Sequence, residues 1–138
     1  LRVLGPKSLM FRDLIGSGAE TAAHMRENGR ILVMFCSFEG PPRIMRCHGT
    51  GSIILPEDPK FAEYDAYFES ANKGTRSFVH IDVHRISASC GFGVPLYDYV
   101  GERPVLDDYY KVRTPEKLRE FMKEKNRRSI DGLPAFDL

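Results

Sequence analysis

The stretch from Gly16 to Leu55, GSGAETAAHMRENGRILVMFCSFEGPPRIMRCHGTGSIIL, limits the folds open to this chain more than any other. Ser17 and Glu20 form a Ser-x-x-Glu box, in which hydroxyl and carboxylate can each satisfy a free backbone N–H at a helix start. Ala19, Ala22, Ala23, Met25, Arg26 and Glu27 are good helix formers, and Asn28-Gly29 offers a left-handed stop, so a helix is expected over residues 17–28. The run Ile31 to Phe38 is too apolar for an exposed strand and is expected to be central in a sheet or covered on both faces. Glu39-Gly40-Pro41-Pro42 then turns the chain into a second strand, Arg43 to Leu55, as an antiparallel hairpin. Gly49 and Gly51 inside that strand mark bulges or close backbone approaches.

The flanking segments extend the same pattern. Leu1 to Leu4 reads as a strand ended by Gly5-Pro6-Lys7, and Ser8 to Ile15 as another. Pro59 opens a helix expected over residues 60–72, with an aromatic stripe at Phe61, Tyr64 and Phe68. Arg76 to Ile86 alternates most clearly, placing Val79, Ile81 and Val83 on one face and His80, Asp82 and His84 on the other. The glycine- and aromatic-rich segment 87–104 (SASCGFGVPLYDYVGERP) is expected to be an ordered loop held by packed aromatics, the kind of loop that carries function. Leu106 to Tyr110 reads as a helical turn and Pro115 to Arg128 as a helix with Leu118, Phe121 and Met122 on its apolar side. Hairpin connections dominate, so the expected fold is mainly antiparallel β within an α+β class: a curved sheet or small barrel with peripheral helices.

Composition narrows the function classes. One domain accounts for 138 residues. Twenty Lys and Arg against 19 Asp and Glu leave no global field for nucleic acid or an anionic membrane. No apolar run is long enough to span a bilayer and no leader is visible, which makes the cytoplasm the default location. Cys36, Cys47 and Cys90 are an odd number without a C-x-x-C pair, which fits a reducing compartment better than a disulfide framework. The chain opens on what reads as a strand in progress, so residues upstream of Leu1 are expected.

Several residue sets carry candidate chemistry. Gly16-Ser17-Gly18 before a helix can hold a phosphate on free N–H groups, with hydroxyls from Ser17 and Thr21, but Glu20 would repel an anion there and plain capping is the simpler reading. Arg43 and Arg46, three apart in a strand, point to opposite faces, so one of them can reach a phosphate through its two-donor fork. His80, Asp82 and His84 have ligand-type spacing on one strand face, with Cys90 the one candidate for a fourth ligand, yet a polar sheet face is the cheaper explanation; no metal is assigned. Cys90 could act as a thiol nucleophile with His84 as base, although nothing visible activates it. Eight basic and three acidic residues between Lys111 and Arg128 interleave at four-residue spacing, as on a solvated helix face, so no nucleic-acid partner is expected.

The segments GSGAETAAHMRENGRILVMF, FEGPPRIMRCHGTG, HRISASCGFGVPLYDYVGER and EKNRRSIDGLP together resemble a subfamily of the pyridoxamine 5'-phosphate oxidase-related proteins. The resemblance covers nearly the whole chain. It implies a split β-barrel, a homodimer, and a flavin mononucleotide (FMN) site shared by the two subunits. Residues 1–138 would form a single split-barrel domain lacking the barrel's first hairpin. Arg43 and Arg46 match the Arg-x-x-Arg that meets the cofactor phosphate in such oxidases; Ser17 and Thr21 lie near their hydroxyl and basic positions, and Tyr97 belongs to the loop that can close over the ring. The implied activity is an FMN-dependent oxidoreductase acting on a small molecule, with catalytic residues and substrate unassigned. The C-terminal basic motif that completes the substrate site of true pyridoxamine phosphate oxidases is not recognisable. The alternative is a non-catalytic split-barrel dimer that serves as a binding or structural protein.

Overall fold

The computed structural model describes all residues from Leu1 to Leu138. Five strands, β1 (Arg2–Gly5), β2 (Ser8–Leu14), β3 (Arg30–Cys36), β4 (Ile44–Ile54) and β5 (Thr75–Ser89), form one antiparallel sheet in the order β1-β2-β5-β4-β3. Four helices flank it: α1 (Glu20–Asn28), α2 (Lys60–Asp65), α3 (Val105–Lys111) and α4 (Pro115–Lys125). The expected α+β arrangement of an antiparallel sheet with peripheral helices is therefore what forms. No helix is long and apolar enough to cross a membrane.

β5 is central because its first half buries side chains on both faces. Val79, Ile81 and Val83 meet Leu9, Met25 and Cys47, with Phe11, Ile31 and Val33 packed alongside. That cluster gathers inward side chains of β2, β3, β4 and β5 around one interior. On the opposite face Phe78 packs with Met10, Ile54 and Tyr64 under α2. α1 comes close to the sheet because Gly51 has no side chain: a Cβ there would collide with the Met25 sulfur and with Ile31. A bulge falls between His48 and Gly49, where His48 pairs with Arg85 and Gly49 with Val83. His84 is the extra residue, so the alternation of β5 is interrupted at that point.

Three expectations are corrected. β3 is an edge strand, not a central one: it pairs only with β4, and Leu32 and Met34 stay 49% and 54% exposed. An apolar run reports that a strand is covered somewhere, not by which part of the same chain. α1 begins at Glu20, and no side chain caps it. The Gly16 and Gly18 carbonyls accept from Asn126 Nδ2 and Arg76 Nη1, and these bonds hold the segment around Ser17 outside the helix. α2 ends at Asp65 instead of running to Asn72, because Asp65 binds Arg12 at 2.7 Å and the next amides tighten into i→i−3 turns, Tyr67 to Tyr64 and Phe68 to Asp65. Phe68 thereby stacks on Phe78, with the Arg12 guanidinium 4.1 Å from its ring centre.

The joint between sheet, α1, α4 and the C-terminal tail is polar and buried. Arg76 donates to both carboxylate oxygens of Asp13 (2.8 and 2.9 Å), Ser77 Oγ donates to the same carboxylate at 2.9 Å, and Phe136 lies over the guanidinium. Nearby, the Tyr110 hydroxyl donates to the Ile15 carbonyl.

Two outcomes follow from this joint. Asp13→Ala strands the Arg76 guanidinium, whose side chain is 5% exposed, and is expected to lower the unfolding free energy by about 3 kcal/mol in urea titration; a change below ~0.5 kcal/mol would mean that solvent already pays the charge. Burial pushes the Tyr110 phenol up to about 12. Its neutral form is favoured in the fold, so this contribution is whole below the ordinary phenol value of about 10 and is lost as pH rises through about 12. Tyr110→Phe is accordingly expected to be less stable at neutral pH, with the gap to wild type narrowing above pH ~10 in pH-dependent urea melts.

Candidate functional site

Past the bulge, β3, β4 and β5 run on as a three-stranded ribbon whose outer face no helix of the chain covers. The register Cys36–Ile44–Ser89, Met34–Arg46–Ser87 and Leu32–His48–Arg85 puts these residues on one face, opposite the side on which α1 packs. Arg46 Nη1 donates to Ser89 Oγ at 3.0 Å, and Ser87 Oγ lies 3.4 Å from His48 Nε2. Leu32 and Met34 form an apolar rim beside these polar groups. On the other face Phe35, Met45 and Ile86 are exposed as well. His48 also lines a groove of about 630 Å³ with His84, Arg30, His24 and Glu27.

At the tip of the ribbon the loop after β5 lies against the start of β4. Gly91 has φ +67°, and a Cβ there would sit 2.8 Å from the Arg43 backbone, so only glycine lets the two segments touch. Tyr97 N–H donates to the Phe38 carbonyl at 3.1 Å, and the two rings meet edge to face at 5.6 Å. The loop is thus ordered, but the aromatics expected to pack within it are mostly outward: Phe92, Tyr99 and Val100 are exposed, Val100 by 98%. The first three residues of the expected loop, Ser87 to Ser89, instead belong to β5.

The residues singled out from the sequence divide into groups. Arg43 and Tyr97 share the ribbon tip, and the Arg43 side chain projects into solvent. Arg46 faces the outer side of the sheet. Thr21, on the opposite side, lines a groove of about 450 Å³ with Phe11, His24, Arg30 and Met34. Ser17 is exposed and makes no capping bond. Glu20 is committed elsewhere: its Oε1 accepts from Ile130 N at 3.1 Å, and bonds from its own amide and that of Ile130 hold its carboxyl below the usual carboxylate range. A Cβ on Gly18 would overlap the Glu20 carboxylate, so the helix start is occupied by the chain's own negative charge.

The ligand-spaced trio does not assemble. His80 Nε2 bonds Ser8 Oγ at 2.8 Å and stays 4.0 Å from Asp82, while His84 sits in the bulge. No group of three or more His, Cys, Asp or Glu side chains comes together at metal-binding distance. Cys90 is exposed, and no hydrogen bond joins it to His84. His48, Ser87 and Ser89 had no place in the sequence reading. Their signal is the i, i+2 placement on two strands, visible only once the bulge sets which residues face each other.

No protein-family model matches the chain, and no solved structure matches it. A curated relative does: the "Pyridoxamine 5'-phosphate oxidase family protein ustO" of Aspergillus flavus is 41% identical over 148 aligned positions that cover 96% of this chain. The chain spans 59% of that relative's length. At that identity, over an alignment that covers nearly the whole chain, the chain belongs to the pyridoxamine 5'-phosphate oxidase family.

Proposed function

We propose that the chain is an FMN-binding oxidoreductase of the pyridoxamine 5'-phosphate oxidase type, acting on a small molecule as a homodimer. The observation that carries this reading is the uncovered ribbon of β3, β4 and β5, where an apolar surface and a basic, hydroxyl-rich face lie side by side. A flavin needs that combination: an apolar bed for a flat ring system and a few convergent polar groups for its phosphate. The shared interior of β2, β3, β4 and β5 supports a sheet curled into a split barrel, with the ribbon on its outer side.

The residues fit the cofactor. Arg46 has guanidinium N–H groups to spare beyond its Ser89 bond and would hold the phosphate; Arg43 would approach from the ribbon tip. Leu32 and Met34 would exclude water from one side of the ring, and Tyr97, already braced against Phe38, from the other. Thr21, which lines a groove with Leu32 and Met34, would meet the ligand from the β3 edge, and Ser17 from the second copy. Bound flavin supplies hydride-transfer chemistry that no side chain can provide.

A second copy also accounts for the apolar surface. Leu32 and Met34 on one face, Phe35, Met45 and Ile86 on the other, and Phe92, Leu96 and Val100 of the loop are all exposed large apolar side chains, which a partner surface would cover.

Two measurements test the reading. Light scattering on the full-length protein is expected to give a dimer, and Met34→Asp a monomer with an unchanged far-UV circular dichroism spectrum, since that side chain is already exposed within the protomer; a wild-type monomer would remove the shared site. Titration with FMN is expected to give a yellow protein with quenched flavin fluorescence, and Arg46→Ala to weaken binding by roughly tenfold or more. A protein that stays colourless in excess FMN is instead the non-catalytic dimer.

A further inference from the structure

β4 outruns the strand beside it. β3 pairs with it only as far as Arg30 opposite Thr50, whereas β4 continues to Ile54 against Phe78 of β5. Gly51 N–H donates to the Gly29 carbonyl at 2.8 Å, so Gly51 turns its backbone groups away from β5. Backbone direction alternates along an antiparallel strand, and Ile53, two residues on, therefore points its N–H and C=O the same way, past the end of β3. No strand pairs with Ile53 on that side, and no backbone bond outside the paired strands engages it. Ile53 is half-buried, and its N–H and C=O form a one-residue sheet edge left open.

That edge opens into a groove of about 370 Å³, within the range of small-molecule sites. Its apolar walls come from Met25 of α1, from Ile53 and Leu55, and from Ala135 and Phe136 of the C-terminal segment. Met25, Ala135 and Phe136 are themselves buried, so the core fixes these walls. Arg26 is the one cation in the lining and Asp137 the one carboxylate. Arg26 Nη1 donates to the Ala135 carbonyl, which holds the guanidinium at the groove, and Nη2 donates to Asp137 at 2.9 Å. The Asp137 side chain is 85% exposed, so this second bond is a surface contact of small worth that another carboxylate can replace.

An open N–H and C=O, an apolar bed and a guanidinium that already holds an exchangeable carboxylate match one ligand chemistry. An extended peptide residue exchanges two backbone bonds with a strand edge, apolar side chains take the bed, and a terminal carboxylate takes the arginine fork. We propose that this groove binds a short apolar peptide with a free C-terminal carboxylate, paired to Ile53 and anchored on Arg26 in place of Asp137. The site lies at the opposite end of β4 from Arg46 and does not depend on the flavin reading.

The test is titration of the nitrogen-15-labelled full-length protein with N-acetyl-leucyl-leucine, followed at the Ile53 amide resonance. Saturable movement of that resonance is expected. The C-terminal amide of the same peptide, which offers Arg26 no charge, is expected to bind about tenfold more weakly or worse. N-methylation of the first leucine, which removes its donor, is expected to weaken binding about fivefold. Asp137→Ala removes the competitor and leaves the Arg26–Ala135 bond, and is expected to bind the peptide about two- to fivefold more tightly, a gain that a merely structural Asp137 would not give. Arg26→Ala is expected to lose binding, and the acid-to-amide exchange in the ligand checks the same contact without touching the fold. No saturable shift at Ile53 in either wild type or Asp137→Ala overturns the site, as does equal binding of acid and amide. Movement of the resonance with protein concentration alone gives the edge to a second copy and overturns it too.

Discussion

The bidentate pair between Arg76 and Asp13 is the interaction on which the arrangement of the molecule depends. Arg76 opens β5 and Asp13 closes β2, so the pair sets the register of the two strands at one end. The same guanidinium reaches the Gly18 carbonyl and lies under Phe136, which ties the start of α1 and the C-terminal tail to that point. Asn126, fully buried at the end of α4, donates to the Gly16 carbonyl, and its own carbonyl accepts from Phe136 N–H. A buried charge pair contributes little net stability against an apolar replacement. What it provides is uniqueness: with these donors aimed at these carbonyls, α1, α4 and the tail can dock in one way only.

That joint also explains which parts of the fold were legible in the sequence. The hairpin of β3 and β4 was, because a Gly-Pro-Pro turn between two apolar runs is a local signal, and so was the left-handed Gly29 that ends α1. The start of α1 was not. The Ser17–Glu20 pattern is a sound cap by local rules, but Arg76 and Asn126, distant in sequence, hold the Gly16 and Gly18 carbonyls and pull the segment out of the helix. Position in the sheet was no more legible for β3. Its apolar run is real, yet the covering it calls for is not supplied by the neighbouring strands of this chain.

The candidate site was half legible for a related reason. Arg46 was legible only as one of a pair with Arg43, two arginines after a rigid turn of which one can reach a phosphate. Ser87, Ser89 and His48 did not, because serines are ordinary and a histidine alone says little. What makes them a set is cross-strand register, and register past His84 depends on a bulge at His48–Gly49. A strict alternation carried through from Val79 would have put Ser87 and Ser89 with the core residues and Arg85 with them, on the wrong face. The same bulge dissolves the His80–Asp82–His84 pattern, which exists only if the alternation is unbroken.

β5 thereby divides the labour of the molecule along its length. From Arg76 to Ile81 it is largely buried, with α1 on one face and α2 on the other, and Arg76, Ser77 and His80 are bonded to Asp13, Gly18 and Ser8. From His84 to Ser89 it carries exposed side chains on both faces, with arginine and serine outward and Ile86 uncovered on the reverse. A ligand that needs ordered polar groups cannot take them from Arg76, Ser77 or His80, which are already bonded within the chain. It can take them from the second, where the strand keeps its geometry through pairing with β4 while Arg85 and Ser89 stay exposed. The bulge is the hinge between these two regimes: it ends the packed register and turns a basic and hydroxyl-bearing face to the outside of a sheet that the first half holds rigid.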